Sequence, residues 1–93
     1  MVIGVLEVDV YLDHSQSLKD RRRVIKGLIA QLRRKFNVAV SEIDEKSLWQ
    51  RATLAIVSLS DDAKYLDGLL SATLNHLDRE SQVQVLDHRL RLF

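Results

Sequence analysis

SLKDRRRVIKGLIAQLRRKF, residues Ser17–Phe36, is the longest run of helical periodicity in the chain, and its reading decides the fold. At about 100° per residue, Leu18, Val24, Ile25, Leu28, Ile29, Leu32 and Phe36 share one broad face. That width suits a helix lying on a sheet rather than half of a coiled coil. Ser17 offers an N-cap oxygen. Asp20, three residues on, can reach back in a short-armed capping box, and its charge suits the positive helix end. No proline interrupts the run, and Asn37 is a natural stop.

The flanking segments read as strands. Val2–Leu12 alternates, with Val2, Gly4, Leu6, Val8, Val10 and Leu12 on one face and Ile3, Val5, Glu7, Asp9 and Tyr11 on the other. Asp13–Gln16 is a short polar loop. Asn37–Ile43 reads as a second strand, Asp44–Ser47 as a polar turn, and Leu48–Leu59 as a third strand with an irregular start. Ser60 is placed to cap a second helix with Asp61 and Asp62 in its first turn. That helix has Ala63, Leu66, Leu69, Leu70, Thr73, Leu74 and Leu77 on its apolar face and ends near Glu80. Ser81–Phe93 alternates again as a last strand. The order β-α-β-β-α-β is the split βαβ plan of ferredoxin-like α+β domains. It predicts a four-stranded antiparallel sheet with both helices on one face, the first and third strands at its centre, and a single domain over 1–93.

Charge is unevenly placed. Ser17–Phe36 holds eight bases (Lys19, Arg21, Arg22, Arg23, Lys26, Arg33, Arg34 and Lys35) against Asp20 alone. The segment carries +7 in a chain of net +1, so the remainder sums to −6. Helical spacing sets Lys19, Arg22, Lys26 and Arg33 along one flank of the apolar face, with Arg23, Gly27, Ala30 and Arg34 further outward. Glycine in mid-helix costs about 1 kcal/mol relative to alanine, which calls for a reason. A low strip between arginines would admit a phosphate or a partner backbone. The pattern fits a solvated face whose long stems cover apolar neighbours, or a contact for phosphates or an acidic protein. On the phosphate reading, Lys19, Arg22, Arg23, Lys26, Arg33 and Arg34 make the contacts. Arg21 falls in the apolar sector, so its stem should pack and its guanidinium should find a loop acid such as Asp13, Asp44 or Glu45.

The helices leave one sheet face open. By alternation it carries Ile3, Val5, Glu7, Asp9, Tyr11, Arg51, Thr53, Ala55, Val57, Val85, Asp87, Arg89 and Arg91. Glu7 or Asp9 can pair with Arg89 or Arg91 across strands. The face reads as a wet surface with charge ladders, or as a self-association surface through Ile3, Val5, Tyr11, Val57 and Val85. RNA-recognition motifs share this fold but stack bases on aromatics of the central strands. The third strand, from Arg51 to Ile56, has none, so any RNA should be held through its phosphates by the first helix and nearby loops.

Catalytic and cofactor signals are absent from the sequence. Neither GxGxxG nor GxxxxGK[ST] occurs, and no Ser-His-Asp set can be assembled. Cysteine is absent, which removes disulfides and thiolate metal sites. His88, between Leu86 and Leu90, and His76, at the edge of the second helix's apolar face, read as packed histidines. His14 beside Asp13 is a weak pair for metal or catalysis. Trp49 should close one end of the core. The N-terminal residues lack a signal-peptide pattern, and no apolar run reaches the roughly 20 residues of a membrane helix. The expectation is a non-enzymatic protein without cofactor or metal, cytoplasmic and not in a membrane.

Ser17–Ser60 resembles the central block of the YlxP-like proteins, a small bacterial family of unknown function. The resemblance rests on SLK at Ser17–Lys19, the RRxVxK pattern ending at Lys26, KFNVAVSE at Lys35–Glu42 and WQRA at Trp49–Ala52. It extends into the first strand and the second helix and implies a ferredoxin-like fold. Members of the family are often encoded beside translation and ribosome-maturation factors, which implies RNA or the ribosome as a partner. The resemblance supplies no active site. The expected protein is a homodimeric RNA- or ribosome-associated binding protein using the basic helix. The alternative is an assembly module that dimerises through the open sheet face.

Overall fold

The computed structural model describes residues 1–13, 16–43 and 50–93. Its elements are β1 (Val2–Leu12), α1 (Leu18–Lys35), β2 (Ala39–Ile43), β3 (Arg51–Ser60), α2 (Ala63–Asp78) and β4 (Val83–Leu92). The strands form one antiparallel sheet in the order β2-β3-β1-β4, the ferredoxin-like arrangement. Asp44, Glu45, Trp49 and His14, each given a part by sequence reasoning, lie outside the described residues.

Alternation along β1 makes the two sheet faces unequal. Leu6, Val8, Val10 and Leu12 are fully buried, together with Leu54 and Ile56 of β3, beneath Leu28 and Leu32 of α1 and Leu66, Leu70 and Leu77 of α2. Both helices therefore share one core on one side of the sheet. Gly4 belongs to this face, and a Cβ there would stand 2.6 Å from Leu70 Cδ1 and 3.0 Å from Leu66 Cγ. Its missing side chain lets α2 lie close on β1. Thr73, buried within α2, is satisfied by donating to the Leu69 carbonyl at 2.9 Å.

Local chemistry sets the helix ends. Ser17 Oγ accepts from Asp20 N at 3.1 Å, and Asp20 Oδ2 accepts in turn from Gln16 N at 3.3 Å. The cap of α2 differs from expectation. Asp62 is the N-cap, accepting from Lys64 N and Tyr65 N, while Ser60 stays in the ladder opposite Val2 and accepts from Asp62 N. A residue held by a strand ladder cannot also begin the helix, so Asp62 takes the role.

Two expectations about β4 are corrected. The β1–β4 register shifts between Asp9 and Val10, because Asp9 opposes Asp87 whereas Val10 opposes Val85. The extra residue, Leu86, is a β-bulge. The shift turns Val85 to the helix side, where it packs against the core, so Val85 is not on the open face and Leu86 is. His88 is exposed rather than packed.

Arg21 is the one buried charged side chain among the described residues, 3% exposed. Among the described residues it meets Glu42 of β2: Nη1 donates to Glu42 Oε1 at 3.3 Å, Nη2 to Glu42 Oε2, and Nη2 also to the Arg51 carbonyl at 3.0 Å. The first turn of α1 is thereby tied to both β2 and β3. Removing the carboxylate would leave a buried guanidinium without the bidentate acid that meets it from β2. Glu42→Ala is expected to lower unfolding free energy by about 2 kcal/mol in urea denaturation, with little change in the slope of the transition.

Candidate nucleic-acid interface and the open sheet face

Three turns of α1 present cations to solvent. Lys19, Arg22, Arg23, Lys26, Arg33 and Arg34 are all exposed. Arg23 makes an exposed contact with Asp20 at 3.6 Å, a pair of small worth in water. Arg33 Nη2 donates to the Val40 carbonyl at 3.0 Å, covering an outward group of edge strand β2. Lys19, Arg22, Lys26 and Arg34 have no carboxylate partner among the described residues. The contact from Arg33 to β2 shows that this flank overhangs the β2 edge. Gly27 lies in the outer strip, where an added Cβ would meet nothing within 4 Å. Arg33, Arg34 and Lys35 occupy the last turn, where the helix dipole favours positive charge.

The open face divides along the strands. At one end, Phe93 exchanges backbone hydrogen bonds with Ile3, which opposes Leu59; the next row sets Val5 against Val57 and Val57 against Ala39. Leu59 is 61% and Phe93 69% exposed, so this end is an uncovered apolar patch. Ile3, Val5 and Val57 of the expected interface lie in it. Tyr11 lies at the far end of the face, opposite Arg51. Leu59 and Phe93 were missed. Leu59 alternates with the expected Val57, and Phe93 follows Arg91 at the same period, so the strand pattern carried the signal.

The polar end is organised by Arg89. Its guanidinium donates to Asp9 from both nitrogens at 3.2 Å and approaches Glu7 and Asp87 at 3.5 Å. Thr53 Oγ1 donates to Asp9 at 2.8 Å. The hydrogen bond from Arg89 holds the Asp9 carboxyl below its ordinary range, and the guanidinium is raised in return. These residues, with Ile43, Arg51 and Leu86, border a shallow concavity of about 640 Å3. The three acids converge on an arginine, and among the described residues no set of His, Asp and Glu is arranged to hold a metal ion.

His76 bridges the C-terminal ends of the two helices. Its ring meets Phe36 edge-on, with centroids 5.8 Å apart, and its Nδ1 lies 3.4 Å from Lys35 Nζ. Nε2 is buried without a hydrogen-bond partner among the described residues. Burial, reinforced by Lys35, holds its pKa below the usual value of 6.5; Arg79 acts in the same sense and Glu80 against it. A base with a depressed folded pKa binds protons more readily when unfolded, so its contribution falls as pH drops through its ordinary range. His76→Gln is therefore expected to flatten the loss of stability between about pH 7.5 and pH 5.5, read by thermal melts across that range.

A ferredoxin-like α+β domain with an unneutralised basic helix on one side and a half-apolar sheet on the other is the class defined here. Residues 3–90 match the family described as "Protein of unknown function (DUF503)", and the chain belongs to it. It is similar to the "Uncharacterized protein YlxP" of Bacillus subtilis (strain 168), 29% identical over 83 residues that span 89% of this chain and 90% of the relative. Among solved structures it resembles the de novo designed protein Foldit4, with a TM-score of 0.53 and 19% identity over 98% of this chain and 96% of that one. That likeness concerns the fold alone. Among the described residues no helix is long and apolar enough to cross a membrane.

Proposed function

We propose that this protein is a non-enzymatic, cytoplasmic binding protein that holds RNA or a ribonucleoprotein through α1. The observation that carries the reading is the state of the cations. Of seven exposed bases on the helix, only Arg23 has a carboxylate near it among the described residues, and that pair is solvent-exposed. The acids of the sheet are engaged elsewhere, with Glu42 on Arg21 and Glu7, Asp9 and Asp87 on Arg89. A row of like charges left unneutralised is a ready partner for a phosphate chain, which it positions without reading sequence.

Replacing Arg23, Lys26 and Arg34 together with glutamate is expected to abolish binding of a mixed-sequence RNA while leaving the circular dichroism spectrum unchanged. For the unmodified chain, log affinity should fall against log salt with a slope of about −0.7 to −0.9 per neutralised phosphate. RNA affinity undiminished in the triple variant would defeat the reading.

A second copy of the chain is the partner the open face fits. Phe93, Ile3 and Leu59 form one uncovered row, with Val5 and Val57 beside it. Packing this patch on itself about a two-fold axis buries those side chains and leaves the basic helices on the outer surfaces. Sedimentation at micromolar concentration is expected to give a dimer for the unmodified chain and a monomer for Leu59→Glu. A monomer in both would remove the sheet-face dimer without touching the RNA reading.

A further inference from the structure

The two edges of the sheet are guarded unequally. β2 is a five-residue edge, and Arg33 covers its outward Val40 carbonyl. β4 runs ten residues, and among the described residues no strand lies beyond it. An edge of that length is a template for another strand unless something blunts it. The phase of its hydrogen bonds follows from Phe93, which exchanges both backbone bonds with Ile3. Alternation makes Arg91–Val5 and Arg89–Glu7 the next such pairs, so Leu90 and Leu92 turn their N–H and C=O groups away from β1. His88 shares that phase, and its N–H donates to Asp87 Oδ1 at 2.8 Å. The bulge at Leu86 interrupts the edge just beyond. What stays open is a short frame from the His88 carbonyl to Leu92.

Side chains beside this frame differ by face. On the helix side, Leu90 packs against the core and Leu92 is 40% exposed. On the open side, Arg91 stands opposite Val5 and has no carboxylate partner among the described residues. A second copy of β4 fits the frame poorly about a two-fold axis. Pairing Leu90 with Leu90 sets Arg89 directly against Arg91 on both sides of the axis, and pairing it with Leu92 sets Arg91 against Arg91. Pairing it with His88 needs the N–H that Asp87 already holds, and pairing it with Leu86 meets the bulge. We propose that β4 accepts an extended segment of another protein that alternates apolar and acidic residues. An acid lies opposite Arg91, and apolar side chains lie opposite Leu90 and Leu92. Main-chain bonds to Leu90 and Leu92 supply affinity, and the alternation supplies specificity. The site is separate from the basic row of α1 and does not rest on the RNA-binding reading.

The test is amide hydrogen exchange by NMR on the full chain, with peptide binding read by fluorescence anisotropy. In the free chain the Arg89 and Arg91 amides should exchange slowly and those of Leu90 and Leu92 fast. The probes are a capped peptide of about six residues alternating valine and glutamate, and its counterpart with lysine for glutamate. The glutamate peptide is expected to bind about tenfold tighter and to slow exchange at Leu90 and Leu92. Arg91→Glu should reverse the preference between the peptides. The chain with Arg23, Lys26 and Arg34 replaced by glutamate should keep the preference, since α1 takes no part. Equal affinity for the two peptides, or no affinity for either, overturns the proposal. So does binding that leaves the Leu90 and Leu92 amides fast, or binding lost with the α1 cations, because the peptide then sits elsewhere. Slow exchange of both amides in the free chain also overturns it, because a second copy then occupies the edge. Should Arg91→Glu fold poorly, the exchange pattern on the unmodified chain decides the question by itself.

Discussion

The interaction on which the arrangement depends is the hold of Arg21 on Glu42 and on the carbonyl of Arg51. A helix packed on a sheet through leucines and isoleucines can rotate or slide at modest cost, because apolar contact has no direction. A bidentate guanidinium bonded to two strands has direction, and a wrong rotation would bury the charge without its acid. Buried ion pairs are poor sources of net stability, since desolvation offsets most of the attraction. Their contribution is specificity. Here the pair fixes which side of α1 faces β2, and so which side is left to display Arg22, Arg23, Lys26 and Arg34.

Division of the acids follows from the same geometry. Glu42 faces the helices and Glu7, Asp9 and Asp87 face the other way, each group engaged by an arginine of its own side. Glu7, Asp9 and Asp87 are separated from the basic helix by the thickness of the sheet. With a Debye length of about 8 Å at physiological ionic strength, charges on opposite faces are largely screened from one another. The chain's net charge of +1 therefore describes neither surface.

Much of this was legible from periodicity. The stripe of Ile25, Leu28 and Leu32 and the alternation of Val2–Leu12 led to the right element order, and the cap at Ser17 was visible as a serine three residues before an acid. The reading failed where tertiary pairing overrode local pattern. An alternation cannot reveal that one residue is extra, so the bulge at Leu86 sent Val85 to the helix side. Ser60 looks like a cap in sequence and is claimed by the ladder with Val2 instead. Arg21 was placed in the apolar sector by spacing alone; that Glu42, 21 residues away on β2, comes within its reach is a matter of register. The basic row needed no tertiary information, since helical spacing is local.

Stability gives a separate reason to regard that row as functional. Lys19–Arg22, Lys19–Arg23, Arg22–Lys26 and Arg23–Lys26 are like-charge pairs three or four residues apart. Each disfavours the helix by about 0.2–0.5 kcal/mol, and Gly27 adds about 1 kcal/mol more. Nothing within the described protein offsets these terms: the cations have no acid beyond Asp20, and the glycine accommodates no neighbour. Gly4, by contrast, is required by the approach of Leu66 and Leu70. Sequences that fold well agree with themselves at every level, and the places where they do not are where something other than folding is being served. On α1 the disagreement is confined to the outward strip, and an anion laid along it would relieve the repulsion that the protein itself leaves standing.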